Sequence, residues 1–180
     1  MSLGLGSRVL QVDDLQLRPL AAADAEALFA LFSDPDVTEY MDIDPLTQVA
    51  EARDIIAWAQ DLAAVDQGGR WGIWRPGAGL IGTCGFNSLE LSRGRRGEVA
   101  YDLARAEWGK GIMSRLLPVI LDLGFRELGL RRIEAMVTVG NQRSCKLLER
   151  HGFTREGELR DHGYWKGRFW DQIVYGRLSD

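Results

Sequence analysis

The sequence predicts an α+β domain, or a closely related α/β one, built on a largely antiparallel sheet with some parallel pairing. Three observations predict it. The chain has 180 residues, 46% of them hydrophobic and 27% charged, enough for one domain with a substantial core and too apolar for disorder. Its periodic segments run strand, helices, strand meander, then strand–helix–strand units. No internal repeat and no linker divides it.

The elements follow in order. "LQLRPL" (15–20) alternates apolar and polar residues and predicts a strand ending near Pro19. Residues 22–32 place Leu28, Leu31 and Phe32 at helical spacing, and Pro35 in "SDPDVTEYM" interrupts that helix and starts a short second one. Over residues 47–65, the spacing of Val49, Ile55, Ile56, Ala59, Leu62 and Ala63 predicts a third helix, with Thr47 and Glu51 near its start. "RWGIW" (70–74), "GLIGTCGF" (79–86) and "GEVAYDL" (97–103) predict successive strands, the first two joined as a hairpin by "RPGAG". Residues 112–128 predict a long apolar helix in which Pro118 removes one ladder bond and introduces a kink. "RRIEAMVTV" predicts a strand and "NQRSCKLLERHG" a short helix closed by Gly152; "FTREGEL" and "RFWDQIVYGRL" are closing strands.

The formal net charge of −4 leaves no basic field to hold nucleic acid, and Arg93, Arg95 and Arg96 sit among glycines as in a solvated loop. Two cysteines without CxxC spacing suggest neither a disulfide framework nor a zinc site, so no metal is expected. No apolar run reaches membrane-spanning length, and "MSLGLGSRVL" lacks the charged start and apolar centre of a secretory signal. The expectation is a cytoplasmic protein with no nucleic-acid or membrane partner.

Two stretches carry chemistry. In "EWGKGIMSRLL" (107–117), two glycines and a lysine precede an apolar helix. A helix start offers unpaired N–H groups and the positive end of the dipole, and glycines let a phosphate approach; a tight turn is the alternative. The spacing is neither a P-loop nor a complete dinucleotide fingerprint, since position 114 is Ser, which argues against a small kinase. The second stretch, "VTVGNQRSCKLLERHGF", ends a strand and starts a helix at Asn141, a good N-cap, with Ser144 one turn later. Taken alone, capping and an ordinary first-turn serine are the favoured readings of the two residues. Two helices starting beside neighbouring strands nevertheless point their N-termini at a common sheet edge.

The sequence resembles the GCN-related N-acetyltransferases (GNAT superfamily), in particular the branch of Rim-type ribosomal-protein acetyltransferases. "VAYDLARAEWGKGIMSRLL" resembles that branch's strand and acetyl-CoA pyrophosphate loop, and "NQRSCKLLERHGFTREGELR" its Asn-x-x-Ser helix, Gly-Phe turn and following strand. "YWKGRFWDQIVYGRL" resembles its closing hairpin, and "LQLRPLAAADAEALFAL" its first strand and helix. The likeness covers residues 15–178, which implies an N-acetyltransferase domain there, with residues 1–14 as a tail.

The resemblance implies the acyl-CoA N-acyltransferase fold: a central, splayed, mostly antiparallel sheet flanked by helices. Acetyl-CoA as co-substrate would lie between strands 98–103 and 132–138. Backbone groups of Leu103, Ala104 and Arg105 would pair with the pantetheine arm, and Trp108, Gly109, Lys110, Gly111, Ile112, Met113 and Ser114 form the pyrophosphate loop, with Asn141 on the facing helix. The residue reading and the resemblance agree on phosphate. Trp108 and Met113 depart from the broad superfamily pattern, and Trp108 fits the Rim-type branch. The tyrosine many members use as general acid falls at Leu148, so the implied acid is Ser144. For the base, Glu98 on the motif strand is the first candidate, against its reading as a surface strand carboxylate, and Asp102 shares its face. Some relatives carry an acid ahead of the hairpin tyrosine, where this chain has Gly163; Asp161 and His162 are the nearby substitutes.

The implied reaction transfers an acetyl group to a primary amine, a protein N-terminus or a small molecule, by direct attack. Leu148 and Gly163 keep open a non-catalytic CoA-binding module. Of Trp71, Trp74, Tyr101, Tyr164, Trp165 and Trp170, most are expected in packing and one or two along the acceptor groove. Members of this branch are often homodimers, though no sequence feature marks an interface.

Overall fold

The computed structural model describes residues 2–180. Eight strands form one sheet in the order β1-β2-β3-β4-β5-β6-β8-β7. They are β1 (Leu10–Val12), β2 (Leu15–Pro19), β3 (Gly69–Arg75), β4 (Gly79–Glu90), β5 (Arg96–Leu103), β6 (Arg132–Thr138), β7 (Thr154–Trp165) and β8 (Arg168–Leu178). The helices are α1 (Ala25–Phe32), α2 (Pro35–Thr38), α3 (Val49–Ala64), α4 (Ile112–Asp122) and α5 (Gln142–Arg150).

Local chemistry sets the helix starts. Pro35 occupies the first turn of α2, where its missing N–H is no loss, and Asp34 accepts from the Asp36 amide at 2.9 Å. Ahead of α3, Glu51 reaches back to the Thr47 and Gln48 amides at 2.8 and 2.9 Å. Lys166 and Gly167 both take positive φ, the geometry that a two-residue hairpin between β7 and β8 requires.

Two expectations change. Residues 2–14, anticipated as part of a tail, pack onto the domain. Leu5 is buried in the main core, β1 pairs with β2, and the Trp71 indole donates to the Arg8 carbonyl at 3.1 Å. The helix predicted over 112–128 stops being α-helical at Asp122 and finishes as a wider turn over Leu123–Glu127, with the Leu128 amide bonded to the Leu123 carbonyl. Gly124 lets that turn press down on the sheet, where an added Cβ would stand 2.7 Å from Ile133 and 2.9 Å from Phe86.

All strand pairings are antiparallel except β5–β6, which is parallel. That pairing joins only residues 96–98 to residues 132–134. Past Glu98 the two strands separate, while β6 stays paired with β8 along its whole length. The core beneath α4 and α5 holds Leu116, Leu117, Ile120, Leu148 and Phe86 and supports both walls of the split. On the other face, α1 and α3 build a second core around Leu28, Phe32 and Ile56.

Candidate active site

The split between β5 and β6 opens into a cavity of about 580 Å³. Residues 98–103 line one wall and residues 135–138 the other. The loop into α4 and the first turns of α5 close one end; Val37, Tyr40, Met41 and Asp42, which follow the start of α2, cover the other.

Both glycines of the loop have left-handed backbone, with φ of +74° at Gly109 and +70° at Gly111, and both would point a Cβ into open space. The loop thus takes a turn that L side chains resist and leaves the ground ahead of the α4 N-terminus clear, as an approaching anion requires. Trp108 ties this loop to its surroundings. Its indole donates to the Leu103 carbonyl at 2.9 Å, and the Arg143 guanidinium of α5 lies 3.5 Å from its ring centroid. Ile112 and Met113 turn buried side chains to the core and Ser114 is half-buried; all three line the cavity.

Three of the expected cofactor contacts lie off the cavity wall, each for a visible reason. The Ala104 amide is bonded to the Ile81 carbonyl at 2.8 Å. Arg105 forms an ion pair with Asp36. The Lys110 ammonium turns to Glu107 at 3.3 Å, and Glu107 is also gripped by Arg75. Leu103 lines the cavity, but its carbonyl already holds the Trp108 indole. The residues of β5 upstream of that carbonyl, 98–102, line the cavity as well.

On α5, Asn141 caps the helix by accepting from the Ser144 amide at 3.3 Å. The half-buried Ser144 hydroxyl lies 2.7 Å from the Tyr101 hydroxyl, so a hydrogen bond joins the β5 wall to the start of α5. Leu148 is fully buried and carries no proton to give.

Glu98 and Asp102 both line the cavity but differ in company. Asp102 accepts from the Thr83 hydroxyl at 2.6 Å, the Thr83 amide at 3.0 Å and Arg70 at 3.3 Å, so it is held as part of the sheet. Burial, together with the charges of Glu134 and Asp42, pushes the Glu98 carboxyl above its ordinary value, against the pull of Asn87 and Arg70. A carboxylate raised in this way is a better proton acceptor at neutral pH. Asp161 and His162 are exposed on β7 and do not line the cavity. Of the six aromatic residues expected in packing or along the groove, Tyr101 alone lines it, among the described residues.

Sequence reasoning missed Arg70, Asn87, Tyr40, Asp42 and Arg143, all of which line the cavity. Asn87 sits at a register shift in β4 and accepts from Arg70 at 3.2 Å. Such cross-strand partnerships leave no periodic mark in a single chain. Arg143 did carry a signal, a cation inside the Asn-x-x-Ser turn. Among the described residues no group of three His, Cys, Asp or Glu side chains could hold a metal ion, and no helix is long and apolar enough to cross a membrane.

The acetyltransferase (GNAT) domain model matches residues 14–154. This chain belongs to the GNAT acetyltransferase family. The acetyltransferase is 42% identical over 171 residues to the uncharacterized N-acetyltransferase p20 of Bacillus licheniformis, covering 94% of this chain and 96% of that protein. It is 38% identical over 168 residues to the uncharacterized N-acetyltransferase YoaA of Bacillus subtilis, covering 93% and 94% of the two chains. In fold it matches RimL, a ribosomal L7/L12 alpha-N-protein acetyltransferase in complex with coenzyme A, with a TM-score of 0.85 at 24% identity over 95% of this chain and 98% of that one. The fold is therefore that of the acyl-CoA N-acyltransferases, and the protein is an acetyl-CoA-dependent N-acetyltransferase.

Proposed function

We propose that the protein acetylates a primary amine, either a peptide or protein N-terminus or a small-molecule amine, by direct attack within a ternary complex. One observation carries this reading: a single cavity joins the α4 and α5 helix starts to the carboxylates Glu98 and Asp42 through the β5–β6 split. The helix starts suit the anionic end of acetyl-CoA. The acidic end suits a cationic amine. The thioester then lies between them, in the unpaired stretch of sheet. The alpha-N-protein activity named for RimL supports an N-terminal acceptor.

The loop from Trp108 through Gly109 and Gly111 to Ile112, Met113 and Ser114 would receive the pyrophosphate, with Asn141 holding the facing helix start in place. An amine attacks only when neutral, so Glu98, directly or through water, would take its proton. A backbone N–H on the open edge of β5 would stabilise the oxyanion as the nitrogen–carbon bond forms. As the carbon–sulfur bond breaks, the electron pair passes to sulfur and the Ser144 hydroxyl supplies it with a hydrogen. A cationic amine loses two protons in all. Glu98 passes the first to solvent before attack; the second leaves the nitrogen of the tetrahedral adduct through water to Ser144, replacing the hydrogen given to sulfur. One proton is released overall, and both residues are restored. Holding the two reactants together supplies much of the remaining acceleration.

The test is a calorimetric titration of acetyl-CoA followed by a screen of peptide N-termini and small primary amines. Micromolar binding, weakened at least tenfold by Gly111→Val, and turnover on an amine would support the reading. Binding without turnover on any amine would leave a CoA-binding module. Folded protein that binds no acetyl-CoA would overturn the assignment of the loop.

A further inference from the structure

We infer that Tyr101 is a positioning residue for the reaction: its hydroxyl, 2.7 Å from Ser144 Oγ at the start of α5, fixes the direction in which Ser144 presents its own hydrogen. The inference rests on the proposed role of Ser144 toward the CoA sulfur.

The geometry is specific. Tyr101 lies on β5 beyond the last residue paired with β6, and Ser144 lies on the first turn of α5, so their bond ties the β5 wall to the helix that closes one end of the cavity. A phenol is a stronger hydrogen-bond donor and a weaker acceptor than an aliphatic alcohol, which sets the direction as Tyr101 to Ser144. Burial pushes the Tyr101 hydroxyl up to about 12, so it keeps its proton to donate. With its oxygen occupied, Ser144 must point its own hydrogen elsewhere. Among the described residues Ser144 Oγ has no second partner, and the direction left open is the cavity.

A serine near a helix N-terminus ordinarily rotates freely among several partners. Here a fixed phenol removes that freedom. Leu148 stands where the resemblance places a tyrosine acid, and Tyr101 lines the cleft from β5. No proton leaves Tyr101 in this account.

The test needs only CoA. A donor aimed at sulfur stabilises the thiolate, so CoA bound to the wild-type protein should ionise at lower pH than free CoA, read from thiolate absorbance during a pH titration. Ser144→Ala should return the bound thiol to its free behaviour. Tyr101→Phe removes one oxygen and keeps the packed ring; it should raise the bound thiol's ionisation midpoint by about tenfold in dissociation constant, while CoA affinity stays within about twofold. The double variant should match Ser144→Ala alone, because the two hydroxyls act as one unit. On the amine substrate, kcat should fall in the same order with little change in the KM for acetyl-CoA.

If Ser144→Ala changes the thiol but Tyr101→Phe does not, the inference about Tyr101 fails and the role of Ser144 stands. If Ser144→Ala leaves both the thiol and kcat unchanged, the role of Ser144 fails and the inference falls with it. Equal, additive losses from the two variants, or a loss of CoA affinity alone in Tyr101→Phe, would mark Tyr101 as wall structure and overturn the inference.

Discussion

Glu98 and Asp102 are four residues apart on β5, and the same cavity touches both, yet of the two only Asp102 is held in an ion pair among the described residues. Asp102 is 7% exposed at its side chain and faces Arg70, itself 10% exposed. Removing one member of such a pair leaves the other charge buried and uncompensated. Asp102→Ala should therefore lower unfolding free energy by about 3–5 kcal/mol, read from urea midpoints, with Asp102→Asn costing less because it still offers an oxygen to Thr83. The sequence placed the two acids on one face and made Glu98 the first candidate base, but gave no reason why Asp102 should be held. What separates them is Arg70 from β3 and Thr83 from β4, residues that only the folded sheet brings alongside. Tyr101 was likewise legible as an aromatic on the motif strand. Its bond to Ser144, 43 positions away, was not.

At the scale of elements, the strongest signals in the sequence were those with a local cause. The α4 start follows two glycines, the α5 start follows a capping asparagine, and Gly152 closes α5 with φ of +78°. The Asn141 cap is the one most easily tested. Asn141→Ala should cost about 1 kcal/mol of stability, and acetyl-CoA should bind more weakly because the first turn of α5 loosens around Ser144; thermal unfolding and calorimetry check the two effects. Elements governed by contact were harder to read. The wider turn after Asp122 depends on how closely Gly124 meets Phe86 and Ile133. The strand Leu10–Val12 is short, and its place at the sheet edge is decided by β2 and the indole of Trp71 rather than by its own pattern. The extension of β7 to Trp165 depends on pairing with β8 across a register shift between Leu159 and Gly163.

For the molecule as a whole, the candidate base works against stability. The folded state holds Glu98 above its ordinary value of 4.5, so between that value and the raised one it binds more protons than the unfolded chain does. Stability contributed by the protonated carboxyl is present at low pH and is lost as pH rises through this window. Glu98→Gln should remove that downward slope, raising stability at neutral pH relative to wild type while lowering kcat. Denaturant titrations at a series of pH values, paired with rates, check both signs; a variant less stable than wild type at neutral pH would refute the argument. The charge balance near the acceptor end also explains why composition alone said little about the substrate. A net charge of −4 averages over a cleft in which Glu98 and Asp42 share one region with Arg70 while Arg143 stands against the α4 loop.

The separation of β5 from β6 has a consequence beyond catalysis. Eight strands share one sheet, but along this seam the ladder stops after residue 98 and the edges of both walls face a void. A co-substrate seated there would act as a removable rung in the ladder, and the native state alone could accept it. Each tenfold rise in its free concentration above the dissociation constant then adds about 1.4 kcal/mol to the folded state. The persistence of the enzyme in a cell, its resistance to unfolding and to proteases, would accordingly follow the supply of the metabolite it consumes.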